Sequence, residues 1–329
     1  IHFKDVVFDN IEFQTEELQK FLTELKSFVL IKDKTYFKKS LLFKSIRLSL
    51  GMGGIHSEDQ PKLFEEDNDY YIIDADIGSM YPTLLINHKL CPAHLNSSFI
   101  KKYEEIRDER LIAKENKELA KAEGLKTTLN SSWGKYNNEH FWLYDPLQAF
   151  RITVNGQLYI ISLIEDLIIH GFDVISCNTD GVTTKVKKDH KQEYYDICNK
   201  WSIKNNFKLE YNYYSIYARK DVNNYICQCT DGKIKEKGDF ITSSEILLET
   251  AACYSFYTFS VGWLRKCVQL LCHFKKTIAP NDKITCTTVK AVHTPLSFKN
   301  MGKMNMQIGK TISASQYTII EALRAFLIA

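Results

Sequence analysis

Two acidic residues close an apolar, β-favouring run. Tyr70-Tyr71-Ile72-Ile73 leads into Asp74-Ala75-Asp76-Ile77-Gly78-Ser79-Met80-Tyr81-Pro82-Thr83. The run reads as a buried strand. A carboxylate at the end of such a strand can hold a divalent cation in a fixed place. Ser79 is placed to cap a helix, and Pro82 sits where a first helical turn tolerates it. The local expectation is strand, acidic corner, helix. Another carboxylate, Asp180, lies in Cys177-Asn178-Thr179-Asp180-Gly181, which reads as a hairpin with the acid at its tip. On its own, Asp-Gly there is ordinary turn chemistry. Between the two stretches, Arg107, Arg110 and Lys114 fall at i, i+3 and i+7 of a charged helical segment, and Lys126, Asn130 and Gly134 share a face of the next. Basic stripes that converge suit the oxygens of a triphosphate. Taken singly, each is a solvated charged face.

The elements that must position these groups follow from periodicity. Residues 1–10 alternate as a strand does, and Glu16 to Leu30 carries a helical stripe with Thr15 as its cap. Leu41 to Ser57 reads as extended on both sides of Gly51-Met52-Gly53-Gly54, where paired glycines let another backbone approach. Pro82 to Leu90 reads as helix, broken at Cys91-Pro92. Ser98 to Glu123 reads as a long exposed helix stopped by Gly124, and Lys126 to Asn137 as its successor. Pro146 to His170 is an apolar-periodic helix with a glycine stop at Gly171. Phe172 to Cys177 and Val182 to Val186 form the hairpin strands. Lys188 to Asn205 reads as helix and Phe207 to Tyr217 as strand.

The 329 residues are 44% hydrophobic and 25% charged, as in ordinary globular chains, and suffice for two or three packed units. The net charge is +3, but it is uneven. From Ser243 onward there are 10 Lys/Arg against 4 Asp/Glu, a net of +6, which leaves −3 for the rest. A basic C-terminal third beside an acidic part suits a grip on a phosphate backbone. Nine scattered cysteines read as reduced thiols of an intracellular, soluble protein, and Cys267, Cys272 and His273 lack zinc spacing. No run reaches about 18 uninterrupted apolar residues, so no membrane partner is expected. A chain beginning at Ile1 is expected to be a fragment or processed product.

Three stretches together carry a family resemblance. Asp76 to Thr83 resembles the D-x-x-S-[LM]-Y-P-[ST] motif of the family B DNA polymerases, most closely the phage versions. Lys126 to Gly134 resembles their K-x-x-x-N-S-x-Y-G motif, with Trp133 in the tyrosine place. Asn178 to Gly181 resembles D-T-D-S, with Asn178 for the first acid and Gly181 for the serine. Gly51 to Gly54 is similar to the family's glycine-pair motif without its tyrosine, and Arg219 to Tyr225 resembles its K-x-Y region with an asparagine in the lysine place. The matches span roughly Gly51 to Gly238.

The resemblance implies an α+β right-hand polymerase with an antiparallel palm sheet, two-helix fingers and a mostly helical thumb. It implies an N-terminal segment leading into the palm over 1–57, palm over 58–96 and 141–242, fingers over 97–140 and a thumb by position over 243–329. The implied activity is primer extension on a DNA template by two-metal-ion transfer of dNTPs. Two Mg²⁺ ions, with Mn²⁺ able to substitute, would be held by Asp76 and Asp180 with the Ile77 carbonyl. Ser79, Met80, Arg110, Lys114, Lys126 and Asn130 would bind the nucleotide. The Tyr81 ring would exclude a 2′-hydroxyl, and Trp133 and Gly134 would line the base pair. Gly53, Gly54, Lys220, Tyr225 and Lys237 would touch primer-template DNA. The register of Ser79-Met80-Tyr81-Pro82 selects Asp76 over Asp74. The family carries a 3′–5′ exonuclease upstream; the residues before Gly51 are too few for one, so a separate exonuclease portion or a processivity factor is an expected partner. The implied setting is the cytoplasm of an infected bacterial cell. The competing expectation is a catalytically impaired remnant that binds DNA, since Asn178 alters one motif and the C-terminal third carries none.

Overall fold

The computed structural model describes residues 1–238 apart from 33 and 35. The region read as a thumb, and Cys267, Cys272 and His273, lie outside the described residues. Among the described residues the chain is α+β, with six α-helices and antiparallel strand pairing. It divides into two units. The first holds Ile1–Asp59 and Glu66–Tyr214; the second holds Gln60–Glu65 and the residues from Ser215 onward.

The first unit is built on a sheet. β1 (Lys38–Phe43), β2 (Ile46–Gly51) and β3 (Gly54–Ser57) form a meander. The strand β4 (Lys62–Glu65) belongs to the second unit. The sheet continues through β6 (Asp173–Asn178) and β7 (Gly181–Lys187) to β5 (Tyr70–Ile77), and β5 then pairs with the first part of β8 (Leu209–Asp221). In the β5–β7 register Tyr70 faces Lys187, Asp74 faces Thr183 and Asp76 faces Gly181; across β8, Asp74 faces Asn212 and Asp76 faces Glu210. Directly opposed residues share a sheet face. The even-numbered residues of β5 therefore lie with Lys187, Lys185, Thr183 and Gly181. On the other face Ile73, Ile77, Val182 and Val186 join the core.

That core centres on α5 (Pro146–Ile169), which is long and apolar enough to cross a membrane, yet 78% of its apolar window is buried inside the protein. Asp145 accepts a bond from the Gln148 amide at its start, and Gly171 ends it at φ +84°. Val154, Leu158, Ile161, Ile164 and Leu167 are sealed from solvent, each contributing about 1.5–3 kcal/mol by burial. Two expectations about the N-terminus change. Residues 1–10 are not a strand: Phe3–Asp5 is a 3₁₀ turn, because Phe3, Val6 and Val7 are buried at helical spacing. Thr15 stands at the start of α1 (Glu16–Lys26), but its hydroxyl donates to the buried Glu165 carboxylate and makes no cap.

Three helices gather on a second apolar cluster formed by Leu85, Leu90, Tyr103, Leu129, Tyr136 and Ile152, among others. They are α2 (Met80–Asn87), α3 (Ser98–Glu115) and α4 (Leu119–Gly134). The break between α3 and α4 falls at 116–118 and not at Gly124. Lys117 takes the left-handed position at φ +60° and the Glu118 amide donates back to the Ala113 carbonyl, a glycine-type helix stop made by a lysine. Gly124 lies within α4. The helix α6 (Lys191–Asn205) follows the hairpin.

In the second unit β4 pairs with the later part of β8, placing Phe64 opposite Tyr217. The Arg219 guanidinium lies 5.0 Å from the Phe64 ring. β9 (Asn224–Cys229) and β10 (Ile234–Lys237) form a hairpin.

Candidate active site

The acidic corner is assembled where β5, β7 and β8 run side by side. Asp74 is buried and committed: one carboxylate oxygen accepts from the Thr183 hydroxyl at 2.9 Å and the other from the Tyr214 hydroxyl at 2.7 Å. It ties three strands together. Asp76, two residues on and on the same face, is partly exposed, and one of its oxygens accepts from the Asn212 amide at 3.0 Å. Its other oxygen fills the space that Gly181 leaves open, since a Cβ on Gly181 would lie 2.3 Å from it. Asp180 is exposed at the hairpin tip, and its carbonyl accepts from the Ile77 amide at 2.8 Å. Ile77, next to Asp76, is thereby bonded to the turn that carries the second acid.

The turn itself is strained. Thr179 adopts φ +39°, a conformation costly for a β-branched residue, and is held by its amide bond to the Ile55 carbonyl at 2.8 Å. Ser79 also sits at positive φ, +53°, at the start of α2, and makes no cap bond. Its hydroxyl accepts from Arg110 of α3. Gly54, at φ +141°, lets β3 pass close: a Cβ there would stand 3.2 Å from the Thr179 side chain and 3.4 Å from the Tyr81 hydroxyl. A Cβ on Gly53 would meet open space. Gly156 of α5 makes the same allowance for Met80 and Tyr81, each 3.2 Å from where a Cβ would be.

Tyr81 is the hinge of this arrangement. Burial raises its hydroxyl pKa well above the ordinary tyrosine value, and the charge of Asp180 raises it further. The ring lies 4.4 Å from that of Trp133 on α4. Three buried polar atoms here have no hydrogen-bond partner: Tyr81 Oη, Arg110 Nε and Trp133 Nε1. Buried polar groups are rarely left so. Under the corner the fully buried Cys177 thiol has its pKa pushed up by burial first, then by the charges of Asp59, Asp180 and Asp74.

The structure brings Asp76, Ile77, Ser79, Met80, Tyr81, Arg110, Trp133, Gly54 and Asp180 into one neighbourhood. Lys114 reaches its edge through Glu210, at 2.9 Å. Lys126 instead pairs with Glu123 of its own helix, and Asn130 and Gly134 are exposed. Arg107 is taken by Glu104 and Asp108. In the second unit Tyr225 and Lys237 face each other across a strand pair, with the ammonium 5.7 Å from the ring, and Lys220 lies on β8. Sequence reasoning missed Glu210, Asn212 and Tyr214, which place a carboxylate, an amide and a phenol on the Asp76 side of β8. Their alternation at every second residue was the available signal.

The side-chain donors at the corner are all oxygen, the carboxylates of Asp76 and Asp180. Among the described residues no three or more His, Cys, Asp or Glu side chains form a ready metal cage. Mg²⁺ needs none, since it takes one or two carboxylates and completes its shell with water and phosphate oxygens. The residues present fit that ion.

No protein-family model matches the chain, and no curated protein matches it in sequence. Among solved structures it is similar to the family B DNA polymerase of the hyperthermophilic archaeon Pyrobaculum calidifontis, at 14% identity and a TM-score of 0.47 over 84% of this chain. The match covers 42% of that polymerase, so this chain spans about two fifths of its length.

Proposed function

We propose that this chain is the core of a DNA-templated DNA polymerase that extends a primer with dNTPs. The observation that carries the reading is the meeting of the strand end that bears Asp76 with the turn that bears Asp180, beside the half-buried Tyr81, Arg110 and Trp133, each with one buried polar atom that has no hydrogen-bond partner. Three sequence motifs in order, which contain Asp76, Tyr81, Trp133 and Asp180, support the reading.

In the reaction the primer O3′ bonds to the α-phosphorus of the nucleotide as the bond to pyrophosphate breaks. Mg²⁺ at the two carboxylates would lower the pKa of the 3′-hydroxyl and neutralise the leaving group. Asp76 is oriented by Asn212 and by the gap at Gly181, and Asp180 by the Ile77 amide. Arg110 is positioned by Ser79 to meet phosphate oxygens, with Lys114 exchanging Glu210 for them and Lys126 turning in from Glu123. The Tyr81 ring supports the sugar and blocks a 2′-hydroxyl, so deoxynucleotides are preferred. Trp133 closes over the new base pair.

Extension of a labelled primer on a DNA template with dNTPs and Mg²⁺ tests the reading. The parent extends. Asp180→Asn, at an exposed position, folds and loses roughly 10³-fold in rate, about 4 kcal/mol of transition-state stabilisation. A parent that binds primer-template without extending it would establish the non-catalytic DNA-binding reading instead.

A further inference from the structure

At the opposite end of β5 from Asp76, on the same sheet face, the first unit carries a cavity of about 400 Å³. Six residues of strand at about 3.3 Å each set it roughly 20 Å from the acidic corner. Its walls include Tyr70, Lys185, Lys187, His170, His190 and Asp173. Register explains the gathering: Tyr70 faces Lys187, and Asp173 faces Lys185. The Lys185 ammonium lies 4.1 Å from the centre of the Tyr70 ring, a cation–π contact that holds the side chain in place.

Neither lysine has an ion-pair partner among the described residues. The neighbouring acids are occupied. Asp67 is held below the usual carboxylate range by the amides of Asp69 and Tyr70, with Lys185 and Lys188 adding to the effect. Glu66 pairs with Lys188, and Glu193 with His190. Two ammonium groups with no ion-pair partner among the described residues, two imidazoles and a phenol ring around a concavity of ligand size suit a phosphate joined to a planar base.

We infer that this cavity binds one nucleotide unit, its phosphate on Lys185 and Lys187 and its base along Tyr70 and His170. Asp173 accepts from an N–H on the edge of the base, such as the N3–H of thymine. The unit is either part of a single strand bound along this face or a free nucleotide, and two arms of one experiment separate them. A labelled 12-residue oligo-dT is titrated by anisotropy across a salt series, and dTMP by equilibrium dialysis, each against the full chain and Lys185→Gln/Lys187→Gln. If a strand is bound, the double variant weakens oligo-dT binding at least 10-fold, and its log–log salt slope falls by about 1.4, the share of two phosphate contacts on a single strand. Lys185→Arg/Lys187→Arg restores both, which separates lost charge from lost folding. If a free nucleotide is bound, saturable dTMP binding is lost with the glutamines while the oligo-dT slope stays. Unchanged binding in both arms overturns the inference. It does not depend on catalysis: failure of primer extension with the slope change intact removes the polymerase reading and leaves this one standing.

Discussion

The acidic corner and the helical pair α3–α4 supply the two halves of the proposed site by opposite means. The corner is fixed by backbone. Strand register sets Asp76 against Gly181, a main-chain bond joins Ile77 to Asp180, and Asp74 spends both oxygens on neighbouring strands. The helical pair is fixed by little. α3 fully buries only Tyr103 and Ala113 and α4 only Leu129; Phe99, Ile100, Ile106 and Trp133 pack half-buried against the same cluster, and the outer faces are charged, with exposed ion pairs. Chemistry that needs carboxylates held to a fraction of an ångström belongs on strands. Groups that must admit a substrate and close on it belong on an element with few buried contacts, whose opening costs little.

The sharpest way to break the contrast is to disturb the corner without touching a carboxylate. Gly181→Ala puts a Cβ 2.3 Å from Asp76 Oδ1. β7 is paired on both sides at this residue and cannot shift away, so the Asp76 side chain must turn. We expect extension to fall at least about 100-fold, as misplacement of a reacting group does, with a stability loss of about 1–3 kcal/mol for overpacking. Single-turnover rates and thermal denaturation measure the two separately. A mutant as active as the parent would show that Asp76 is not held by this contact.

Next in size is Tyr214→Phe, which leaves one oxygen of the buried Asp74 without its donor. An unsatisfied buried acceptor costs about 1–3 kcal/mol. Urea denaturation should report that loss, while the rate per folded molecule holds within a few-fold because Asp76 keeps its Asn212 partner. A rate loss as deep as that of Gly181→Ala would make Asp74 part of the chemistry and not of the frame.

These two regions were unequally legible in the sequence. The places of Asp76, Ser79, Tyr81 and Asp180 in the fold could be read because strand end, helix start and hairpin are local patterns. Local pattern could not separate Asp74 from Asp76 on its own, since both occupy the same face of β5; their difference lies in Tyr214 and Asn212, far along the chain. Gly181 looked like turn chemistry, and its use as space for a carboxylate depends on register. In the helical pair the glycine rule picked Gly124 as the stop, but tertiary context let Lys117 take the left-handed position. The stripe of Arg107, Arg110 and Lys114 was correct as a face, yet only Arg110 and Lys114 reach the corner's side. Lys126 shares a helix with Trp133 but pairs locally. Exposed long side chains are settled by nearby charges that periodicity does not encode.

The smallest effects belong to the helical pair, and they test whether it is as loosely held as its burial implies. The Tyr103 hydroxyl donates to the Leu129 carbonyl at 2.7 Å inside the second apolar cluster. Among the described residues it is the buried side-chain hydrogen bond that joins α3 to α4. Tyr103→Phe keeps the ring and removes that bond, for about 1 kcal/mol. Lys121→Ala removes an exposed bridge to Glu109 between the same helices, and screening leaves such pairs with little influence on stability. Hydrogen exchange of α3 and α4 amides reads both. Faster exchange in Tyr103→Phe and no change in Lys121→Ala, with β5 and β7 unchanged, would show that one buried contact and not the surface charge holds the two helices together. Acceleration spreading into β5 and β7 would show instead that the two regions open as one, and the contrast between them would fail.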